Sequence, residues 1–150
     1  MSIEDQIHII GIVIGWFIVA GYIWLVMRYF VKLINRKLIV GFPQDSLFRK
    51  RFAGFKQTVD RSHSYISFFL LAFMLVHFII ELIYWGFSIT GVITFSLMLL
   101  QIFLGLYGTY VRKKKESPWL YAHRIVAVML FVSIIIHVTT VIIMNSQQGK

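Results

Sequence analysis

The sequence predicts an all-α membrane protein: a single domain over residues 1–150, built as a bundle of four transmembrane helices, with an amphipathic helix on the cytoplasmic side between the first and second. Of its residues 59% are hydrophobic and 17% aromatic, and the mean hydropathy is +0.79. A soluble domain of this size has too little interior for so much apolar surface. Four apolar runs and a one-sided distribution of basic residues complete the argument.

The four predicted spans cover residues 7–30, 64–85, 89–111 and 119–144. Each is long enough to cross a bilayer, which needs about 20 apolar residues. All are rich in Ile, Leu, Val and Phe. The β-branched residues do not argue against helix, because lipid forces each backbone to satisfy its hydrogen bonds within its own segment.

The loop between the first two spans contains a further predicted helix over residues 46–59. There Phe48, Phe52, Phe55 and Val59 recur at helical spacing between Arg and Lys residues. This pattern is typical of an amphipathic helix at the membrane surface. Pro43 is expected to mark the turn before it.

Basic residues lie almost entirely on one side of the predicted membrane. Nine occur between Arg28 and Arg61, and a further run occupies 112–115, whereas the other side carries Glu4 and Asp5. The positive-inside rule therefore places both termini outside and both basic loops in the cytoplasm, and we expect a prokaryotic cytoplasmic membrane. The net charge of +9 then reflects topology and contact with lipid headgroups, and we expect no nucleic-acid partner.

Two histidine pairs share one spacing. His63 and His77 lie 14 positions apart in the second span, and His123 and His137 lie 14 apart in the fourth. Fourteen residues of α-helix turn through about 1400°, close to four full turns, and rise about 21 Å, so each pair shares one helix face. The second and fourth spans run in the same direction, because one span separates them.

This arrangement predicts two facing histidine pairs at two depths, which is the ligand set of two bis-histidine haems. The chain has no cysteine, which excludes Fe–S clusters and covalent haem attachment and leaves two non-covalent b haems. We expect His63 and His123 to ligate the cytoplasmic-side haem, and His77 and His137 the outer one. Two alternatives to haem ligation stay open for these histidines. They could be structural residues hydrogen-bonded between helices. They could also bind zinc, although no Cys, Asp or Glu completes a zinc site.

Two predicted helix starts and two glycines indicate that the histidines of the second and fourth spans lie at matching depths in the membrane. Thr58 is expected to cap the second membrane helix, and Ser117 with Pro118 the fourth, which puts each inner histidine about five residues inside its helix. In the third span Gly91 and Gly105 are also 14 apart. Because that span is antiparallel, Gly105 is expected at the inner depth and Gly91 at the outer one, where glycine leaves room for a porphyrin. The alternative is ordinary close packing of membrane helices.

Three charged residues complete the candidate sites. Arg61 and Arg124 are each close in sequence to an inner histidine and are candidates to pair with haem propionates, although the positive-inside rule also explains them. Glu81 lies four residues after His77, on the same helix face. It is a candidate proton or quinone site, with a carboxylate reaching the outer interface as the alternative.

The spacing resembles a known group. Two helices with His-(13 residues)-His beside one with Gly-(13 residues)-Gly resemble the di-haem four-helix core of the cytochrome b of bc-type quinol oxidoreductases. The segments Tyr-Ala-His-Arg-Ile-Val (121–126) and Ile-Ile-His-Val (135–138) are also similar to ferric-reductase-like membrane domains. The resemblance covers the four spans, and it does not carry over sites of electron entry or exit.

The function expected from these observations is electron transfer across the membrane through two low-spin haems. The chain would be the cytochrome b subunit of a membrane redox complex, with quinone or a partner protein exchanging the electrons, and membrane lipid around it. Two alternatives stay open: a stand-alone small oxidoreductase that acts on ferric iron or superoxide at the outer face, and a haem-free membrane anchor.

Overall fold

The computed structural model of the chain describes residues 2–111 and 118–148, and that part of the chain is helical. Its four long helices are α1 (Ile3–Lys37), α2 (Leu47–Tyr84), α3 (Ile89–Leu106) and α4 (Pro118–Gln148). A short 3₁₀ turn, Ile39–Gly41, follows α1, and a π-helical turn, Tyr107–Val111, extends α3. The predicted basic run at 112–115 and the predicted cap Ser117 lie outside the described residues.

All four helices are long and apolar enough to cross a membrane. The candidate spans are Gln6–Gly41, Leu47–Tyr84, Ile89–Val111 and Pro118–Gln147, which confirms the prediction of four apolar membrane-spanning helices. Large apolar side chains on every helix are exposed, among them Phe17, Phe68, Phe103 and Ile125. Lipid would cover these side chains in a bilayer, and their exposure is therefore ordinary for an integral membrane protein.

The second helix is longer than its predicted span, because the amphipathic segment is continuous with it. The 38 residues of α2 extend about 57 Å at 1.5 Å per residue, well beyond a hydrocarbon core of about 30 Å. Residues 46–59 therefore form no separate helix. Thr58 is not a cap: its hydroxyl lies within α2 and donates to the carbonyl oxygen of Gly54 at 3.2 Å.

Ser46 caps α2 instead, since its Oγ accepts from the backbone N–H of Arg49 at 3.3 Å. Pro43 precedes this start, in the turn where the sequence predicts it, and the Arg49 guanidinium donates to the carbonyl of Phe42 at 2.7 Å. Such bonds satisfy backbone groups that a helix start leaves unpaired. A polar cap and a proline thus place the break between α1 and α2.

The turn between α2 and α3 depends on a glycine and a serine. Gly86 has φ +82°, a backbone conformation in the left-handed region that glycine adopts without strain. Ser88 then caps α3 by accepting from the N–H of Gly91 at 3.3 Å. At the start of α4, Pro118 is the first helical residue, a position where its missing N–H costs nothing.

The chain divides into two compact units, and each is described by itself. One unit spans Ile12–Phe73 and contains most of α1 and α2. Within it the side chain of Leu70 packs so closely on Gly21 that a Cβ there would lie 2.6 Å from Cδ2. The indole N–H of Trp24 donates to Ser62 Oγ at 2.9 Å, and Val59 is almost fully buried, at 1% exposure.

The other unit comprises Met1–Gly11 and Met74–Lys150, and its centre is the antiparallel pair α3 and α4. Leu130 is fully buried there, with Met98 and Ile134 also in the core. Buried Ser133 forms a 2.7 Å hydrogen bond through its hydroxyl with that of Thr94. This bond satisfies the polar groups at the interface of α3 and α4, as buried polar groups require.

Candidate haem-ligand site

The two outer histidines belong to the same unit. His77 is carried by α2 and His137 by α4, and both are partly buried. His77 keeps 21% of its side chain exposed. Both histidines that the sequence assigns to the outer haem thus lie in one unit, and their facing stays a prediction.

A backbone carbonyl fixes the ring of His77. Its Nδ1 lies 3.2 Å from the carbonyl oxygen of Gly11, on the first turns of α1. A carbonyl only accepts, so Nδ1 carries the proton and donates it. The lone pair is then on Nε2, which is the nitrogen left for a metal. Histidines that bind metals commonly donate their other N–H in this way, and the bond orients the ring and makes it a stronger ligand.

A hydroxyl takes the same position beside His137. Nδ1 of His137 lies 3.1 Å from Oγ1 of Thr90, on the first turn of α3. The Thr90 hydroxyl is itself 3.2 Å from Oγ of Ser88, the residue that caps the helix. These contacts orient the ring through Nδ1, and Nε2 is left for a ligand in the tautomer in which Nδ1 donates to the Thr90 hydroxyl. Both outer rings are thus held by the nitrogen that a haem iron does not need.

Glu81 lies beside the outer histidines. Its Oε1 is 3.9 Å from Nδ1 of His77, one helical turn earlier, and 35% of its side chain is exposed. A Cβ at Gly11 would lie 2.8 Å from the same carboxylate oxygen, so glycine there gives Glu81 its space. The role of Glu81 in proton transfer or quinone binding stays a prediction.

The two glycines of α3 each lie against a histidine of α4. A Cβ at Gly91 would lie 3.4 Å from Cε1 of His137, and a Cβ at Gly105 would lie 3.7 Å from Cε1 of His123. Because both glycines and both histidines are 14 residues apart, the same contact repeats at two depths. Glycine places no side chain against Cε1 of either ring, and a porphyrin edge would need such room beside its ligand.

The inner histidine of α4 is held differently. Nε2 of His123 lies 3.2 Å from the amide nitrogen of Gln101, on α3. An amide nitrogen only donates, so Nε2 of His123 accepts, and its lone pair is occupied. Nε2 ligation would require the Gln101 amide to withdraw. The two outer rings thus form their hydrogen bonds at Nδ1, whereas His123 forms its hydrogen bond at Nε2.

The remaining predicted residues fall in both units. His63 lies on α2 within residues 12–73, where its carbonyl accepts from the Ser67 hydroxyl at 2.7 Å. Arg61 is exposed on the same helix, and Arg124 is exposed on α4 in the other unit. Their proposed pairing with propionates stays a prediction, and so does the facing of His63 and His123.

Sequence reasoning missed the two partners of the outer rings. The acceptor at Gly11 is a backbone carbonyl, which every residue type has and which a sequence pattern therefore does not predict. Thr90 has a weak signal, because it precedes Gly91 at the depth predicted for His137. Among residues 2–111 and 118–148, no group of three or more His, Cys, Asp or Glu side chains could hold a metal ion. A bis-histidine haem takes only two protein ligands for each iron.

Comparison with known proteins adds no identification: no family model matches the chain, and no match was found among curated proteins or solved structures.

Proposed function

We propose that this chain transfers electrons across a membrane through two b-type haems, each ligated by two histidines. His77 and His137 would ligate the outer haem, and His63 and His123 the cytoplasmic-side haem. The observation that carries the proposal is the outer pair: the Gly11 carbonyl accepts from Nδ1 of His77 and leaves its Nε2 for iron, and Thr90 contacts His137 at the same ring nitrogen. The repeated contact of glycine with histidine on α3 and α4 supports it.

Haem, when bound, supplies a one-electron couple between ferric and ferrous iron, and two imidazole ligands keep it six-coordinate. The protein's own groups orient and tune the ligands. The carbonyl of Gly11 keeps the proton on Nδ1 of His77, which directs the ring and raises its basicity. Gly91 and Gly105 leave space for the macrocycle, while Arg61 and Arg124 are proposed to pair with propionates.

The electron donor and acceptor would lie outside this chain. We propose that it is the cytochrome b subunit of a membrane redox complex, with quinone or a partner protein exchanging electrons with the haems. Glu81, beside His77, is the candidate group for accompanying proton or quinone chemistry. We propose a prokaryotic cytoplasmic membrane, and the charge distribution supports an orientation with both termini outside and the basic loops in the cytoplasm.

The first test is a haem spectrum of the purified full-length chain, with haem quantified per chain. We expect two haems and the reduced absorption of low-spin b-type haem. His77→Ala or His137→Ala should each remove the outer haem and keep the cytoplasmic-side haem. His63→Ala or His123→Ala should each remove the cytoplasmic-side haem and keep the outer one. His8→Ala is the matched control, because His8 packs on Trp85 at 4.8 Å between ring centroids and is outside both pairs.

The outcomes separate the proposal from its alternatives. A purified chain without haem, after expression with ample haem supply, would contradict the proposal and favour a membrane anchor. A haem-loaded chain that reduces a ferric chelate or oxidises superoxide on its own would favour the stand-alone oxidoreductase. An inert, haem-loaded chain that turns over only with added partner or quinone supports a subunit.

A further inference from the structure

Four charged side chains meet in the unit formed by residues 12–73. Asp60 accepts from Nε of Arg28 at 2.7 Å, and its two oxygens lie 3.4 Å from Nζ of Lys32 and 3.3 Å from Nζ of Lys56. We call Arg28, Lys32, Lys56 and Asp60 the Asp60 cluster. Arg28 and Lys32 belong to α1, and Lys56 and Asp60 belong to α2, so the cluster joins the two helices.

The cluster lies where the apolar part of both helices ends. Residues 9–27 and residues 62–80 contain no Asp, Glu, Lys or Arg, and the cluster is at the end of each run. One turn deeper, the Trp24 indole donates to Ser62, and tryptophan is enriched at membrane–water interfaces. In a bilayer this position corresponds to the depth of the lipid headgroups.

The cluster has a surplus of positive charge and of donors. Three cations surround one carboxylate, and residues 12–73 contain no other acidic residue except Asp45. An ammonium has three N–H donors and a guanidinium five, more than the two oxygens of Asp60 use. The side chains remain reachable, with 50% of Lys32, 35% of Lys56 and 31% of Arg28 exposed.

Asp60 also gathers the cations. Free lysines lose considerable side-chain entropy when a ligand orders them. Here all three cationic groups already converge on a single carboxylate, so part of that ordering precedes binding. A phosphate placed beside the carboxylate would meet a preformed group of donors, and its negative charge would offset the surplus.

We propose that the Asp60 cluster binds the phosphate of an anionic phospholipid. The depth of the cluster selects a lipid over a soluble anion, because a headgroup held there leaves its acyl chains beside the exposed apolar flanks of α1 and α2. The site is independent of haem. Its residues are outside both histidine pairs, and lipid binding at the Asp60 cluster does not depend on the proposed electron transfer.

The test measures lipid retained by the full-length chain after purification from bilayers that mix phosphatidylcholine with a minor fraction of phosphatidylglycerol. We expect phosphatidylglycerol to be enriched over its bulk fraction. Lys32→Gln with Lys56→Gln should reduce this enrichment by about tenfold or more, the factor that the loss of a hydrogen bond from a charged group represents. Lys37→Gln with Lys50→Gln is the matched control, since both lysines are exposed outside the cluster and the charge change is equal.

A second variant separates the effect of the convergence of the cations on Asp60 from the effect of the net charge of the cluster. Asp60→Asn makes the cluster more positive but removes the group that gathers the cations, and we expect enrichment to fall. Equal losses in both double variants, or stronger retention in Asp60→Asn, would show an effect of net charge alone and overturn the proposal. Displacement of the lipid by inorganic phosphate would overturn the choice of a lipid. Helical circular dichroism and the haem spectrum of the same samples check folding and report separately on haem binding.

Discussion

At the scale of single residues, the outer histidines differ from His123, the inner histidine of α4, in the ring nitrogen that forms a hydrogen bond. His77 and His137 are each hydrogen-bonded through Nδ1, whereas His123 accepts at Nε2 from Gln101. Ring orientation and ligand strength both depend on this second hydrogen bond. We therefore expect the partners of the rings, and not the histidines alone, to determine the haem affinity of each proposed site.

The clearest residue to test is Thr90. Thr90→Val keeps the side-chain shape and removes the oxygen that lies 3.1 Å from Nδ1 of His137. Because loss of such a partner commonly costs 10- to 100-fold in metal affinity, we expect the affinity for the outer haem to fall by about that factor. Haem titration of the apoprotein, followed by its absorption, measures this affinity.

Two controls accompany this variant. Thr90→Ser keeps the hydroxyl and should restore affinity, and Thr139→Val removes a hydroxyl from an exposed position of α4 and should change nothing. The midpoint potential of the outer haem should also shift in Thr90→Val, a change that a purely structural role would not produce. Unchanged affinity and potential would exclude Thr90 as a positioning residue.

At the scale of the helices, a glycine allows the π-helical turn after α3 to pack closely against α4. Gly108 is buried in the π-helical turn after α3, and a Cβ there would overlap the indole ring of Trp119 on α4. The ring is rigid, so the overlap cannot be relieved by rotating one end of a flexible chain. Gly54 on α2 has no atom within 4 Å of a Cβ. The two glycines thus provide a crowded and an open site for the same substitution.

Gly108→Ala should destabilise the protein by about 1–3 kcal/mol, the usual cost of overpacking. Gly54→Ala should be neutral or stabilise it by up to about 1 kcal/mol, because alanine favours helix over glycine. Denaturant unfolding in detergent, followed by tryptophan fluorescence and circular dichroism, compares the two variants. Equal stability of both would show that α3 and α4 do not pack closely at Trp119.

Sequence patterns predicted some features of these helices and missed others, for physical reasons. Four apolar runs predicted four spans, since length and hydropathy determine what can cross a bilayer. The predicted separation of the amphipathic segment from the second span did not occur, because a change of composition at residues 59–64 does not break a helix that lacks proline there. The sequence predicts Thr58 as a cap, but a mid-helix threonine can donate to the carbonyl four residues before it, as Thr58 does to Gly54.

The candidate site was predictable in part. The 14-residue periods of histidine and glycine follow from helix geometry, and the structure puts Gly91 against His137 and Gly105 against His123. The carbonyl of Gly11 was beyond prediction, since every residue has a carbonyl and only the packing of α1 selects one. The Gln101 amide could be expected between helices, but its choice of Nε2 on His123 depends on the register of α3 against α4.

At the scale of the whole molecule, the difference between the rings predicts an order of haem loading. At the proposed outer site both rings form their hydrogen bonds at Nδ1, while at the proposed inner site the hydrogen bond from Gln101 to Nε2 of His123 must first break. Since such a bond contributes about 0.5–1.5 kcal/mol, haem should fill the outer site first when it is limiting. The comparison uses His63→Ala, which retains only the outer site, and His77→Ala, which retains only the inner one.

Gln101→Leu tests the cause of this order. In the His77→Ala background it removes the competing donor, so the affinity for the inner haem should rise about two- to tenfold, the factor that one hydrogen bond represents. Gln57→Leu, at an exposed position of α2, is the matched control and should leave the affinity unchanged. Haem titration followed by absorption measures both variants. A lower inner-haem affinity in Gln101→Leu would mean that the amide supports His123 as a ligand, and the two sites would then have no reason to fill in sequence.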